Sequence, residues 1–281
     1  MSGYDLHTHS TFSDGVTTVE HNLEVAARLG LEGLGITDHD TTAPFAIAVA
    51  VAARLGLDVL LGTELSAEEH GVSVHVLGYG VDPDDVALAA ELDRLRHERV
   101  DRARAMVAKL EALGVPVRFE RVEALAGDAP IGRPHIAAAV VEVGAARSLQ
   151  EVFDRYLADG GPAFVPKHAL PPEAAVALVV EAGGVAVLAH PGLHGVRDGR
   201  EGIPVELIER LVSAGLAGLE VDHPDHTPAQ RRRYAEVADR LGLLVTGGSD
   251  HHGSGTRDRI GAATTPREVV AALRGRCRHR P

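Results

Sequence analysis

Short apolar runs that end in histidine or a carboxylate recur along this chain, and most segments between them carry helical periodicity. Tyr4 to His9, Leu31 to Thr37, Leu57 to Thr63, Val72 to Tyr79, Val185 to Ala189, Leu216 to Val221 and Leu243 to Gly247 read as strands. Thr17 and Glu20 form a capping-box pattern before a helix whose Val19, Leu23, Ala26 and Ala27 share one face, and Gly30 closes it. Ala43 to Leu55, Pro172 to Ala182, Val205 to Ala214 and Ala229 to Leu241 continue as helices. Alternation of this kind dictates a parallel sheet with helices outside, closed or nearly closed as a barrel.

Between Asp84 and Val165 the alternation stops. A long charged helix over Asp84 to Leu113 is followed by shorter ones at Pro134 to Val143 and Ser148 to Leu157, the last opened by Ser148 with Glu151. The expected organisation is a barrel built from residues 1–83 and 166–275, an inserted helical domain over 84–165, and a charged tail, 276–281, that frays. A single α/β barrel of about 250 residues plus a small insert accounts for the 281 present.

Composition removes several function classes. Hydrophobic residues make up 45% and charged residues 24%, as in a globular protein with an ordinary core. The one cysteine, Cys277, cannot close an internal disulfide, which fits a reducing compartment and predicts a cytoplasmic protein. The N-terminus lacks the charged and apolar regions of a signal peptide, and no apolar run is long enough for a bilayer. A net charge of −12, no tryptophan, four tyrosines and five phenylalanines argue against an extended nucleic-acid surface. Sixteen histidines remain to be explained, and imidazole is the commonest metal ligand.

Their placement is informative. His7 and His9 are two apart on the first strand, so both rings face one side. Asp38 and His39 follow the second strand, Glu64 ends the third, His190 ends VAVLA, His223 follows GLEVD, and Asp250, His251 and His252 follow LVTGGS. Barrel enzymes draw their chemistry from the carboxyl ends of different strands, so this clustering predicts a metal site. His75 lies inside its strand, directed inward by alternation with Val74 and Val76. Each residue alone has a plainer account. Asp14-Gly15 makes a turn, Asp38 and Asp40 cap a helix, and His190 before Pro191 is turn chemistry. His21, His70, His97 and His279 read as solvated, and His168, His194, His226 and His251 as exposed in preference to supporting the site.

The motifs HTHSTFSDG, TDHD, GTE, HVLGYG, AHPG, DHPDH and GGSDHHG, in order along almost the whole chain, resemble the PHP (polymerase and histidinol phosphatase) superfamily. The resemblance implies an α/β fold, a distorted (β/α)7 TIM-like barrel with an inserted small helical domain, and three divalent metal ions. By motif, His7, His9, Glu64 and Asp250 would hold one ion; Glu64 would bridge to a second held by His75 and His190; and Asp14, His39 and His252 would hold a third. Six imidazoles and three carboxylates suit Mn, Fe or Zn better than Mg or Ca. Three ions carry +6 and Asp14, Glu64 and Asp250 return −3, so the site attracts an anion, and a metal-bridging hydroxide would attack its phosphorus.

GRPHIAAA and VPKHAL resemble the subgroup that removes the 3′-phosphate from nucleoside 3′,5′-bisphosphates such as pAp, relatives of which also trim short 5′-phosphorylated RNA. That implies phosphate-binding roles for Arg133, His135, Lys167 and His223, and catalytic roles for Glu64, Asp250 and His223. The implied partner is a small phosphorylated nucleotide or short RNA end, bound by a monomer or small homo-oligomer. Histidinol-phosphate phosphatase, an amidohydrolase-type metal hydrolase and a non-catalytic PHP module are the alternative readings.

Overall fold

The computed structural model describes residues 3–127, 131–158, 160–166, 169–194, 202–253 and 259–279. The chain divides into two compact units, one formed by Met1–Ala90 with Ala169–Pro281 and the other by Glu91–His168. Strands β1 (Tyr4–Asp5), β2 (Gly33–Ile36), β3 (Asp58–Glu69), β4 (Val72–Tyr79), β5 (Val185–Leu188), β6 (Gly218–Asp222) and β7 (Leu244–Gly247) pair in sequence order. A parallel bridge between Thr8 and His251, with the Leu6 N–H donating to the Gly247 carbonyl, joins the first strand to the last and all but closes the barrel.

Helices α1 (Val19–Leu29) and α2 (Phe45–Leu55) follow the first two strands. Next come α3 (Val86–Ala112), α4 (Phe119–Ala126), α5 (Arg133–Glu142) and α6 (Leu149–Val152), the last continued by a π-helical turn at Phe153–Leu157. The barrel alternation then resumes with α7 (Pro172–Glu181), α8 (Val205–Ser213), α9 (Pro228–Leu241) and α10 (Arg267–Arg276). No helix among the described residues is long and apolar enough to cross a membrane.

Covered by helices, β2 and β5 are buried along their whole length, which explains their unbroken apolar sequences. Leu6, Leu77, Tyr79 and Val187 fill the barrel, and the Tyr79 hydroxyl donates to the Leu6 carbonyl at 3.0 Å. Each such large side chain contributes about 1.5–3 kcal/mol through burial. The helical unit has its own core around Met106, Leu110, Val122, Ile136 and Val140.

Three local expectations need correction. The sheet is not wholly parallel: β4 runs antiparallel to both β3 and β5. His70 and Gly71 both have positive φ, 49° and 82°, which reverses the chain in a tight hairpin too short for a crossover helix. The cap of α1 is Thr18, whose side chain accepts from the His21 N–H, while the Thr17 hydroxyl donates to Asn22 Oδ1 at 2.7 Å. The tail is docked as far as it is described. It follows α10, with the Arg278 N–H bonded to the Gly183 carbonyl at 2.8 Å and Cys277 half-buried against the barrel core.

Candidate metal centre

Glu64 lies midway along β3, fully buried, and its two oxygens face different histidines. Oε1 is 2.9 Å from His75 Nδ1 and 3.1 Å from His190 Nε2. Oε2 is 3.3 Å from His7 Nε2, 3.2 Å from His9 Nε2 and 3.2 Å from His39 Nδ1. Asp250 completes the His7–His9 side, with Oδ1 3.3 Å from His9 Nε2 and 3.7 Å from His7 Nε2. On the far side of His9, the half-exposed Asp14 approaches His252 Nε2 at 3.2 Å through Oδ1 and His39 Nε2 at 3.9 Å through Oδ2. All nine side chains that the motif resemblance singled out as ligands therefore gather in one cluster.

The strand order explains the convergence. His7, His9, His39, His190, Asp250 and His252 come just beyond the carboxyl ends of parallel strands. His75 reaches the same end because reversed β4 presents its N-terminal half there, opposite Ser66 of β3 and close to Ala189, whose N–H donates to the His75 carbonyl at 3.0 Å. His190 and Asp250 adopt positive φ, 27° and 51°, a strain of order 1–3 kcal/mol each that turns the chain sharply at the cluster. Asp38 serves the scaffold instead. It accepts from the Ser10 N–H at 2.8 Å and the Ser13 hydroxyl at 2.7 Å, pinning the loop that carries Asp14.

The donor set fits divalent cations. Among the described residues, His39 Nδ1, Glu64 Oε2, His75 Nδ1, His190 Nδ1, His194 Nε2 and His223 Nε2 are buried and make no well-directed hydrogen bond, close as several of them lie to one another. Each such atom costs about 1–3 kcal/mol unless something satisfies it, and a cation does so for several at once. Burial alone would favour a neutral Glu64, but the imidazoles of His39, His7 and His75 hold its carboxyl well below the usual range. Burial likewise opposes charge on His9, yet Asp250, Glu64 and Asp14 outweigh it and hold the ring up at about 10. At His39 burial wins and pushes the ring down to about 3. A divalent ion requires neutral imidazoles beside ionised carboxylates, a state that His39 already has and that His9 reaches only by giving up its proton.

Of the predicted phosphate-binding residues, His223 is fully buried beside the cluster, its Nε2 3.7 Å from Asp250 Oδ2. Its Nδ1 accepts from the Asp225 N–H at 3.1 Å, which leaves the proton on Nε2. Arg133 and His135 belong to the helical unit. Arg133 donates to the Leu157 carbonyl at 3.3 Å and lies over the Phe153 ring at 5.8 Å, while His135 Nδ1 accepts from the Gly132 N–H at the start of α5. Lys167 and His168 lie outside the described residues.

Sequence reading missed three groups. Glu220, buried in β6, accepts from His7 Nδ1 and from the His190 N–H. Asp5 accepts from the N–H groups of Ser249 and Gly261, both at 2.8 Å, tying β1 to the loop that carries Asp250; burial lifts its carboxyl to about 6. In both cases the available signal was a carboxylate inside an apolar strand. The third is histidine exposure: His194, His226 and His251 are buried, contrary to expectation. His226 donates from Nδ1 to the Val221 carbonyl and accepts the Gly192 N–H, and His251 lies between Thr17 and Arg259, so both brace loops.

Comparison with known proteins agrees with this geometry. The PHP domain family matches residues 5–116. A 3′,5′-nucleoside bisphosphate phosphatase from Chromobacterium violaceum is 40% identical over 265 residues, covering 92% of this chain and 90% of its own. A phosphoribosyl 1,2-cyclic phosphate 1,2-diphosphodiesterase from Eggerthella lenta is 39% identical over 253 residues, covering 89% of this chain and 94% of its own. A crystal structure described as a metal-dependent phosphoesterase from Bifidobacterium adolescentis superposes with a TM-score of 0.88 at 36% identity, over 98% of this chain and 96% of that one. A barrel of this topology, with histidines and carboxylates gathered at one end and whole-length relatives of this similarity, makes the chain a member of the PHP family.

Proposed function

We propose that this phosphoesterase removes the 3′-phosphate from a nucleoside 3′,5′-bisphosphate. The observation that carries the chemistry is the buried cluster of unpartnered nitrogen and oxygen atoms around Glu64. The similarity to a nucleoside bisphosphate phosphatase supports the substrate class. In this reading His7, His9, Glu64 and Asp250 hold one divalent ion, Glu64, His75 and His190 a second, and Asp14, His39 and His252 a third, with Mn, Fe or Zn suited to so many imidazoles. When bound, such ions polarise phosphoryl oxygens and acidify water.

The chain's own groups then have distinct tasks. The low pKa of Glu64 keeps both its oxygens available as a bridge. Asp250 Oδ2, 3.7 Å from His223 Nε2, takes a proton from the attacking water. His223, with its proton on Nε2, donates a hydrogen bond to the phosphate or the departing ribose oxygen. The roles of Arg133, His135, Lys167 and His223 in holding the substrate's other phosphate rest on the motif resemblance.

The test is phosphate release from pAp with Mn²⁺, set against phosphate release from AMP and histidinol phosphate, mononucleotide release from short 5′-phosphorylated RNA and ring opening of a five-membered cyclic ribose phosphate. Faster turnover of pAp than of the others is expected, with Arg133→Ala raising KM for the bisphosphate and sparing simple esters. Preference for the cyclic phosphate would instead favour a diesterase, a reading supported by the Eggerthella lenta relative.

A further inference from the structure

His194 belongs to none of the ligand sets above, yet its ring is buried and its Nε2 has no hydrogen-bond partner among the described residues. The turn that carries it is firmly held. The Leu193 N–H donates to the His190 carbonyl at 3.0 Å, Gln230 Nε2 donates to the Gly192 carbonyl at 2.6 Å, and the Tyr234 hydroxyl donates to the Pro191 carbonyl at 3.0 Å. Gly192 lies so close to His226 that a Cβ there would come within 2.9 Å of the ring, so only glycine permits this path. The turn folds His194 back beside His190, the residue four positions earlier.

The rings of His75, His190 and His194 form a near-equilateral triangle. Their centroids are 5.3 Å apart for His75 and His190, 4.7 Å for His190 and His194, and 5.5 Å for His75 and His194. Three imidazoles bound through one nitrogen each to a tetrahedral ion, with metal–nitrogen bonds of about 2.0–2.1 Å, have centroids roughly 5 Å apart. Glu64 Oε1 already joins two of the three rings.

We propose that His194 is a further protein ligand of the ion held by Glu64, His75 and His190. The assignment rests on the metal centre of the function proposed above. It gives that ion three imidazoles and one carboxylate oxygen, a borderline-soft set that selects Zn or Fe over Mg or Ca.

The test is elemental analysis and chelator competition on full-length wild type, His194→Phe and His194→Asp, with circular-dichroism melting of the metal-free forms as a check on folding. His194→Phe keeps a planar ring without a donor. It is expected to lose one ion per chain preferentially and to release that ion to chelator at least tenfold more readily. His194→Asp, which restores a ligand atom, is expected to recover much of the loss. Wild-type metal content and chelator resistance in His194→Phe would overturn the assignment and leave the metal centre standing. Wild type that takes up no ion would overturn both.

Discussion

Both carboxylate oxygens of Glu220 reach Nδ1 of His7, at 3.0 and 3.1 Å, and Oε2 also accepts the His190 N–H at 2.9 Å. The contact fixes a proton on Nδ1 and aims Nε2, the atom that would bind an ion, at Glu64 and His9. One buried carboxylate thus orients an imidazole from the first strand and the backbone after the fifth.

Replacing it should weaken metal binding without touching a ligand. Glu220→Gln is expected to lower metal affinity 10–100-fold, read by chelator competition, with its melting temperature in the metal-free form near wild type. Unchanged affinity would mean that His7 is held by packing alone.

Gly248 permits the same contact. A Cβ at this position would lie 2.3 Å from His7 Cβ and 2.8 Å from Glu220 Oε1. Gly248→Ala must therefore push His7 or Glu220 aside. Metal content should fall and turnover should drop at least tenfold, whereas alanine at Gly275 in α10, where a Cβ meets nothing within 4 Å, should leave metal content intact.

Metal uptake should release protons. Held up at about 10, His9 keeps its proton at neutral pH in the metal-free protein, and His7 is also raised well above its usual value, because Glu220 and Glu64 outweigh its burial. An ion must displace what these rings hold, so about one to two protons per chain should leave on loading, and affinity should rise with pH up to about 10. Calorimetry in buffers of different ionisation enthalpy measures the release, and heats independent of buffer would refute it.

At the opposite end of the barrel, Arg274 donates to both oxygens of Asp58 at 2.7 and 2.8 Å, and the Tyr4 hydroxyl adds a third bond at 2.8 Å. Partial burial opposes ionisation of Asp58, but these donors outweigh it and hold its carboxyl below the usual range. The resulting stability is present above the ordinary carboxylate pKa, about 4, and is lost as pH falls through the depressed value. With both groups partly exposed, Arg274→Ala should cost about 1 kcal/mol or less at pH 7. The gap in melting temperature from wild type should shrink below about pH 4, and a constant gap would count against the pair.

Much of this architecture was legible because strand and helix differ in period and because the barrel collects chemistry where parallel strands end. His190 and Asp250 could be aligned on that rule alone, whereas Glu64, expected at a strand end, sits midway along β3, which runs on to Glu69. The direction of β4 could not, since alternation in Val72–Tyr79 is the same whichever way a strand runs, and only the His70–Gly71 turn hinted at reversal. Glu220 lies in the strand just before the conspicuous His223, and its only sequence signal is that a glutamate buried within GLEVD is costly unless something pairs with it. The burial of His194 depends on a turn held by Gln230 and Tyr234, residues far along the chain whose contacts no local pattern announces.

The β3–β4 hairpin carries a consequence for assembly. Glu64 and His75 come from adjacent arms of one tight turn, so the loop-closure entropy of bringing them together is small, whereas pairing His7 with Asp250 requires almost the entire polypeptide to be in place. A nascent chain can therefore form the Glu64–His75 half of the cluster as a local unit, long before the final strand arrives to complete it.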